Sequence, residues 1–157
     1  MKTLQQWFDE YEVSHQHPTN KAIHFICVPA IYFSIIGLLM SIPTDFIRRI
    51  SPLQEPLIDN WAVVALFFVL FFYSRLSLLI AIKISFFSAI CISVNYVIGF
   101  QYPLWKSSLV IFLLAWTGQF YGHQLEGKKP SFLKDIQFLL IGPAWVIEHL
   151  FSTKNRE

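Results

Sequence analysis

Charge is what this chain has least of. Asp, Glu, Lys and Arg together make up 14% of its 157 residues, where a soluble domain carries about 25%. So sparse a charged surface points away from a water-soluble domain. The formal net charge of +2 is too small to argue for a nucleic-acid partner. Cysteine is nearly missing. Cys27 and Cys91 sit inside apolar runs, without the paired spacing of a zinc site or a disulfide framework, and read as small core hydrophobes. Several catalytic signatures are absent too. There is no His-Glu-x-x-His of a zinc protease and no Gly-x-Ser-x-Gly elbow of a serine hydrolase. Five histidines are too few for the histidine-rich di-iron desaturases and hydroxylases. Residues 1–21 carry Asp9, Glu10 and Glu12 and no apolar core, so no signal peptide is expected there.

What the chain has in excess is apolar surface: 55% hydrophobic residues, with sixteen Phe and five Trp, and a mean hydropathy of +0.51. The expected architecture is all-α, a polytopic membrane helical bundle forming a single domain over residues 1–157. Trp7, Phe8 and Tyr11 at helical spacing beside the acidic residues predict an N-terminal amphipathic helix, its aromatics acting as packing anchors. The first apolar run, 22–42, is long enough at ~1.5 Å per residue to cross a ~30 Å hydrocarbon core. Thr19 is its expected N-cap, and Pro29 lies inside it. Residues 44–60 read as a loop with room for one short interfacial helix. The apolar stretch 61–98 is too long for one span and predicts two, 61–73 and 76–98, broken at Tyr73-Ser74-Arg75. Lys83, inside the second, must snorkel or find a partner. A turn at 99–103 leads to a fourth apolar segment, 107–121. The last, 132–151, is split by Gly142-Pro143: a crossing would put Glu148 on the far side, whereas a re-entrant or interfacial course, the favoured one, would return it to the starting face.

Four spans between His24 and His123 bring both to one side of the membrane. With the N-terminus inside, that side holds Lys2, Lys21, Arg75, Lys128, Lys129, Lys134, Lys154 and Arg156, and the other only Arg48, Arg49 and Lys106. This asymmetry fits the positive-inside rule and predicts a site on the cytoplasmic face.

The stretch Ser14 to His24 puts His15, His17 and His24 at the mouth of the first span. Asn20 and His24 share a helix face, and a turn at Pro18 can fold His15 back toward them. His123 and Glu126, three apart, share a face if their segment is helical. Neutral imidazoles with a carboxylate suit iron, zinc or manganese. One metal with three or four protein ligands and open positions is what the residue count allows, and open positions on Fe(II) are what O₂ chemistry requires. The rival reading is a non-catalytic membrane module that binds lipid or a partner, the histidines being polar helix ends.

Taken in order, His15, Asn20, His24 and Val28-Pro29, then Gln119-Phe120-Tyr121-Gly122-His123 with Glu126 and Pro130, then Gly142-Pro143 with Glu148, resemble the motifs of the Mpo-type 2-hydroxy fatty acid dioxygenases. This family was long described as of unknown function. The resemblance covers most of the chain. It implies an Fe(II)- and O₂-dependent conversion of a 2-hydroxy fatty acid into the acid one carbon shorter, with release of CO₂ (fatty acid α-oxidation). It also implies His15, His24 and His123 as iron ligands, and Glu126, Asn20 and Glu148 as catalytic residues supplying a fourth ligand or supporting the others. Lys128 and Lys129 are the expected substrate-carboxylate contacts at the interface, and the acyl chain would lie between the spans. His17 is a less secure ligand than these three, and His149 reads as an interfacial histidine. Another lipid hydroxy acid is the alternative substrate. Fungal family members reside in the endoplasmic reticulum, whereas short loops and termini here point to a bacterial inner membrane.

Overall fold

The computed structural model describes residues 2–127 and 132–151, without the side chains of 132–137 and 151. Among the described residues there are seven helices and no strand, as an all-α reading requires: α1 (Leu4–Val13), α2 (Pro18–Met40), α3 (Asp45–Ile50), α4 (Trp61–Leu76), α5 (Leu78–Gln101), α6 (Leu104–Leu125) and α7 (Phe132–Phe151). Two of them, α2 and α5, are long and apolar enough to cross a membrane, while α4 is shorter, at 16 residues. Large apolar side chains face outward along these helices; Phe67 is 70% exposed and Phe86 71%.

Local chemistry sets the helix ends. A capping box opens α1: Thr3 Oγ1 accepts from the Gln6 N–H, and Gln6 Oε1 accepts from the Thr3 N–H at 2.9 Å. The expected cap of α2 is corrected. His17, not Thr19, is the N-cap, its Nδ1 accepting the Thr19 N–H at 3.2 Å. Pro18 explains the shift, because a residue that needs no N–H partner and has a helical φ fits the first helical position. Pro29 lies within α2 without ending it. The break between α4 and α5 falls at Ser77, two residues beyond Arg75, where an extended backbone and the Ser77 hydroxyl cap the new helix. α5 runs through Gly99 to Gln101, so the turn is narrower than 99–103. The loop after α2 holds the short helix α3, and α6 reaches past residue 121 to enclose His123.

The closest helix pair is α2 with α6. Small residues allow it. A Cβ on Gly118 would lie 2.7 Å from Cys27 Sγ, and one on Gly122 would collide with the Asn20 side chain. This approach brings the start of α2 against the end of α6. Cys91 is buried in a second cluster with Ile36, Ala62 and Ile92, and both cysteines are free thiols.

Gly142-Pro143 does not split the last segment; α7 is continuous through it. Nearby, the Tyr73 hydroxyl donates to the Leu140 carbonyl. Glu148 of α7 pairs with Lys83, five residues into α5, and Phe138 and Trp145 both pack against Tyr11 of α1, at 5.3 Å. These partners belong to the end of α4, the start of α5, and α1. α7 therefore lies across the end of the bundle where α2 begins.

Candidate metal centre

Three segments deliver three imidazoles to one point. His15 stands in the connector after α1, His24 in the second turn of α2 and His123 in the last turn of α6. Their ligand atoms all lie within 4.8 Å of one another. The ring centroids are 4.2 Å apart for His15–His24, 4.9 Å for His24–His123 and 5.3 Å for His15–His123, with interplanar angles of 78°, 84° and 65°. Steeply inclined rings converge on a point, which stacked rings do not.

The outer nitrogens of two rings are committed. His15 Nδ1–H donates to the Tyr11 carbonyl at 2.5 Å and His24 Nδ1–H to the Asn20 carbonyl at 2.9 Å, each one helical turn back. That assignment leaves Nε2 of both rings as lone-pair donors, as metal-binding histidines require. His15 Nε2 is buried and has no hydrogen-bond partner among the described residues. Burial holds the His15 pKa down to about 4, helped by His123 and Lys21 and opposed by the Tyr11 carbonyl and Glu126. It is a neutral imidazole at pH 7, the form that binds metal.

Glu126 follows α6 and belongs to the layer behind the ligands. Its Oε1 accepts the Gln16 N–H at 2.7 Å; its Oε2 accepts the His17 N–H at 3.0 Å and Asn20 Nδ2 at 2.9 Å. Slight burial pulls its pKa up, but the donors from His17, Asn20 and Gln16 prevail and hold it below the usual carboxylate value. Asn20 Nδ2 also reaches the Ser14 carbonyl at 3.3 Å. Glu126 and Asn20 thus fasten the His15 connector to α6.

Glu148 is not in the group of converging ligand atoms. It is in an ion pair with Lys83 at 2.7 Å, which also supplies the partner that lysine needed. His17 is exposed and engaged in capping. His149 packs on Trp145 at 4.1 Å, with its Nε2 3.6 Å from Glu12. Lys128 and Lys129 lie outside the described residues.

Sequence reasoning missed three participants. Tyr11, read as a packing anchor, stacks on His15 at 4.0 Å and 11° and edges His24 at 6.4 Å. Gln119, quoted only as part of a motif, is buried one turn before His123 and lines the same cavity, with Trp116 one turn further back. Trp116 Nε1 is buried without a hydrogen-bond partner among the described residues. The usable signal was spacing: Tyr11 is four before His15, and Trp116 and Gln119 are seven and four before His123.

The arrangement defines an all-helical protein with a three-histidine site able to hold a metal ion. The chain belongs to the family described as 2-hydroxy-palmitic acid dioxygenase Mpo1-like, whose model matches residues 1–153. No curated protein and no solved structure matches it.

Proposed function

We propose that the protein is an Fe(II)-dependent dioxygenase acting on 2-hydroxy fatty acids in a membrane. The overall change balances as R–CHOH–COOH + O₂ → R–COOH + CO₂ + H₂O: the C1–C2 bond breaks, C2 is oxidised to the new carboxyl carbon and O₂ is reduced. The observation that carries this reading is the convergence of three imidazoles with the lone pair of His15 Nε2 buried and unpaired, in a chain of this family. His15, His24 and His123 would hold the iron, and three nitrogen ligands leave positions for substrate and O₂. Bound there, Fe(II) would supply the redox chemistry that lets O₂ react with the hydroxy acid.

The protein's own residues have separate tasks. Tyr11 and the Asn20 carbonyl orient the rings of His15 and His24. Glu126 and Asn20 hold the His15 connector in register, acting through the ligands rather than on substrate. Trp116 and Gln119 offer polar groups on the cavity wall for the carboxylate or hydroxyl. Lys128 and Lys129 would attract the carboxylate at the surface, and Glu148 would support the site through α7. α1 and α7 cover the histidines, limiting water; His15 and His24 are each 1% exposed.

The membrane arrangement in this reading has four spans, α2, α4, α5 and α6, with the site on the cytoplasmic face. The apolar α2 and α5 and the outward-facing Phe side chains support it. A bacterial inner membrane is the expected location, or the endoplasmic reticulum in a eukaryote. The deciding experiment reconstitutes purified protein with Fe(II) without air, adds 2-hydroxypalmitate and O₂, and reads products by mass spectrometry. The expected product is pentadecanoic acid, with one CO₂ released for each O₂ consumed. Iron-loaded protein that yields no shortened acid from any 2-hydroxy acid overturns the proposal.

A further inference from the structure

A second cavity, of about 130 Å³, lies deeper in the bundle. It lies between α2 and α4, with Leu139, Leu140 and Pro143 of α7 and Ile92 of α5 completing its wall; α2 packs chiefly on α6 and α4 chiefly on α5. Val28, Tyr32, Ile35 and Leu39 line it from α2, Ala65 and Val69 from α4. On the α2 side these residues continue the stripe that starts at His24, at steps of four, four, three and four. Val28 and Leu139 line both this cavity and the histidine pocket, so the two adjoin. Among the described lining residues Tyr32 alone has a polar side chain, and its hydroxyl is already hydrogen-bonded to Ser88 Oγ at 2.6 Å.

We propose that this slot is the seat of the substrate's acyl chain, with the carboxyl end at the histidines and the methyl end near Leu39 and Ala62. The inference rests on the reading of the histidine pocket as a 2-hydroxy acid site. The slot makes no demand for hydrogen bonds, so only apolar matter fits it. From His24 to Leu39 the α2 axis rises on the order of 22 Å, more than the ~15 Å depth of one leaflet of a bilayer core. A long single chain matches that length, and because a cavity of about 150 Å³ holds only a benzene-sized group, seating the whole chain in this one of about 130 Å³ requires α2 and α4 to part further. α4 runs antiparallel to α2, so Ala65 lies about midway and Ala62 at the far end. These two small side chains keep the distal half open, and they set the chain length that is accepted.

The test uses the full chain in phosphatidylcholine nanodiscs and a 2-hydroxypalmitate analogue with a diazirine at its methyl end. Photolysis under anaerobic conditions requires no turnover. Label is expected on 35–39 and 62–66, displaced by unlabelled 2-hydroxypalmitate and reduced in Ala65→Phe. Label confined to the outward faces of α5 and α6, or label from a diazirine phospholipid in the slot that the hydroxy acid does not displace, overturns the proposal. In parallel, Ala65→Phe and Leu39→Trp are assayed with 2-hydroxypalmitate and 2-hydroxyoctanoate. The long-to-short turnover ratio should fall by at least about tenfold; an unchanged ratio in active variants overturns the proposal. Displaceable slot labelling without shortened product would leave the acyl seat standing and sink the reaction.

Discussion

Asn20 and Glu126 meet across the α2–α6 boundary, 106 residues apart in sequence, with Asn20 Nδ2 donating to Glu126 Oε2 at 2.9 Å. The same carboxylate holds the backbone N–H groups of Gln16 and His17. A carboxylate outside the converging ligand group thereby fixes where His15 stands. Replacing Glu126 by Ala should lower iron affinity by about 10- to 100-fold, the usual cost of losing an outer partner of a metal site. Glu126→Gln keeps an acceptor for one N–H and should lose less. Anaerobic Fe(II) titration of the two variants checks the order.

His15→Ala and His24→Ala each remove one of three convergent ligands. Iron content should fall well below one per chain, and turnover with it. Elemental analysis alongside the product assay is the measurement. A His24→Ala protein with full iron and full turnover would remove this site from the mechanism.

The His15 pKa, lowered to about 4 from 6.5 by burial, fixes a pH dependence with a definite sign. In the unfolded chain His15 takes up a proton near pH 6.5, and in the fold only near 4. Between these values the unfolded state binds more protons, so metal-free protein loses stability as pH falls through that window. A weakly held proton is also a weak competitor, so His15 should stay a ligand below pH 6, where an ordinary histidine is mostly protonated. Thermal unfolding of metal-free protein from pH 7 to 4.5 tests the first statement, and iron retention over the same range the second.

Lys83 and Glu148 form a partly buried pair at 2.7 Å, with side chains 21% and 33% exposed. Breaking it from one side leaves a charge at an apolar boundary, whereas removing both relieves that penalty. Lys83→Met should therefore destabilise more than the Lys83→Met, Glu148→Leu double variant. Glu148→Gln should keep its iron, because Glu148 stands outside the ligand group. Loss of iron from Glu148→Gln would return that residue to the ligand shell.

The sequence made the helical class legible because the apolar runs between 22 and 121 are long and their breaks carry Pro, Gly, Ser and charge. His15, His24 and His123 were legible because counting spans put them on one face. Glu126 was found by the same count, but not its job: whether a carboxylate binds a metal or a backbone N–H depends on a few ångströms that spacing does not encode. Pro18 moved the cap of α2 by two residues, a local effect that the apolar pattern cannot register. Gly142-Pro143 misled in the other direction, since neighbours can support a helix through a proline. Tyr11 and Gln119 escaped because their importance lies in what they face. A packing anchor and a site residue look alike until the neighbouring ring is known.

The cluster gathers one imidazole from just beyond a ten-residue helix and two from the much longer helices α2 and α6. Its weakest attachment is therefore α1. Lifting α1 would withdraw His15 together with the Tyr11 ring stacked on it, and the other two histidines would be left holding the ion. The residence time of bound iron should then be set by how often α1 opens. A chelator at saturating concentration would read that opening as a rate independent of its own concentration.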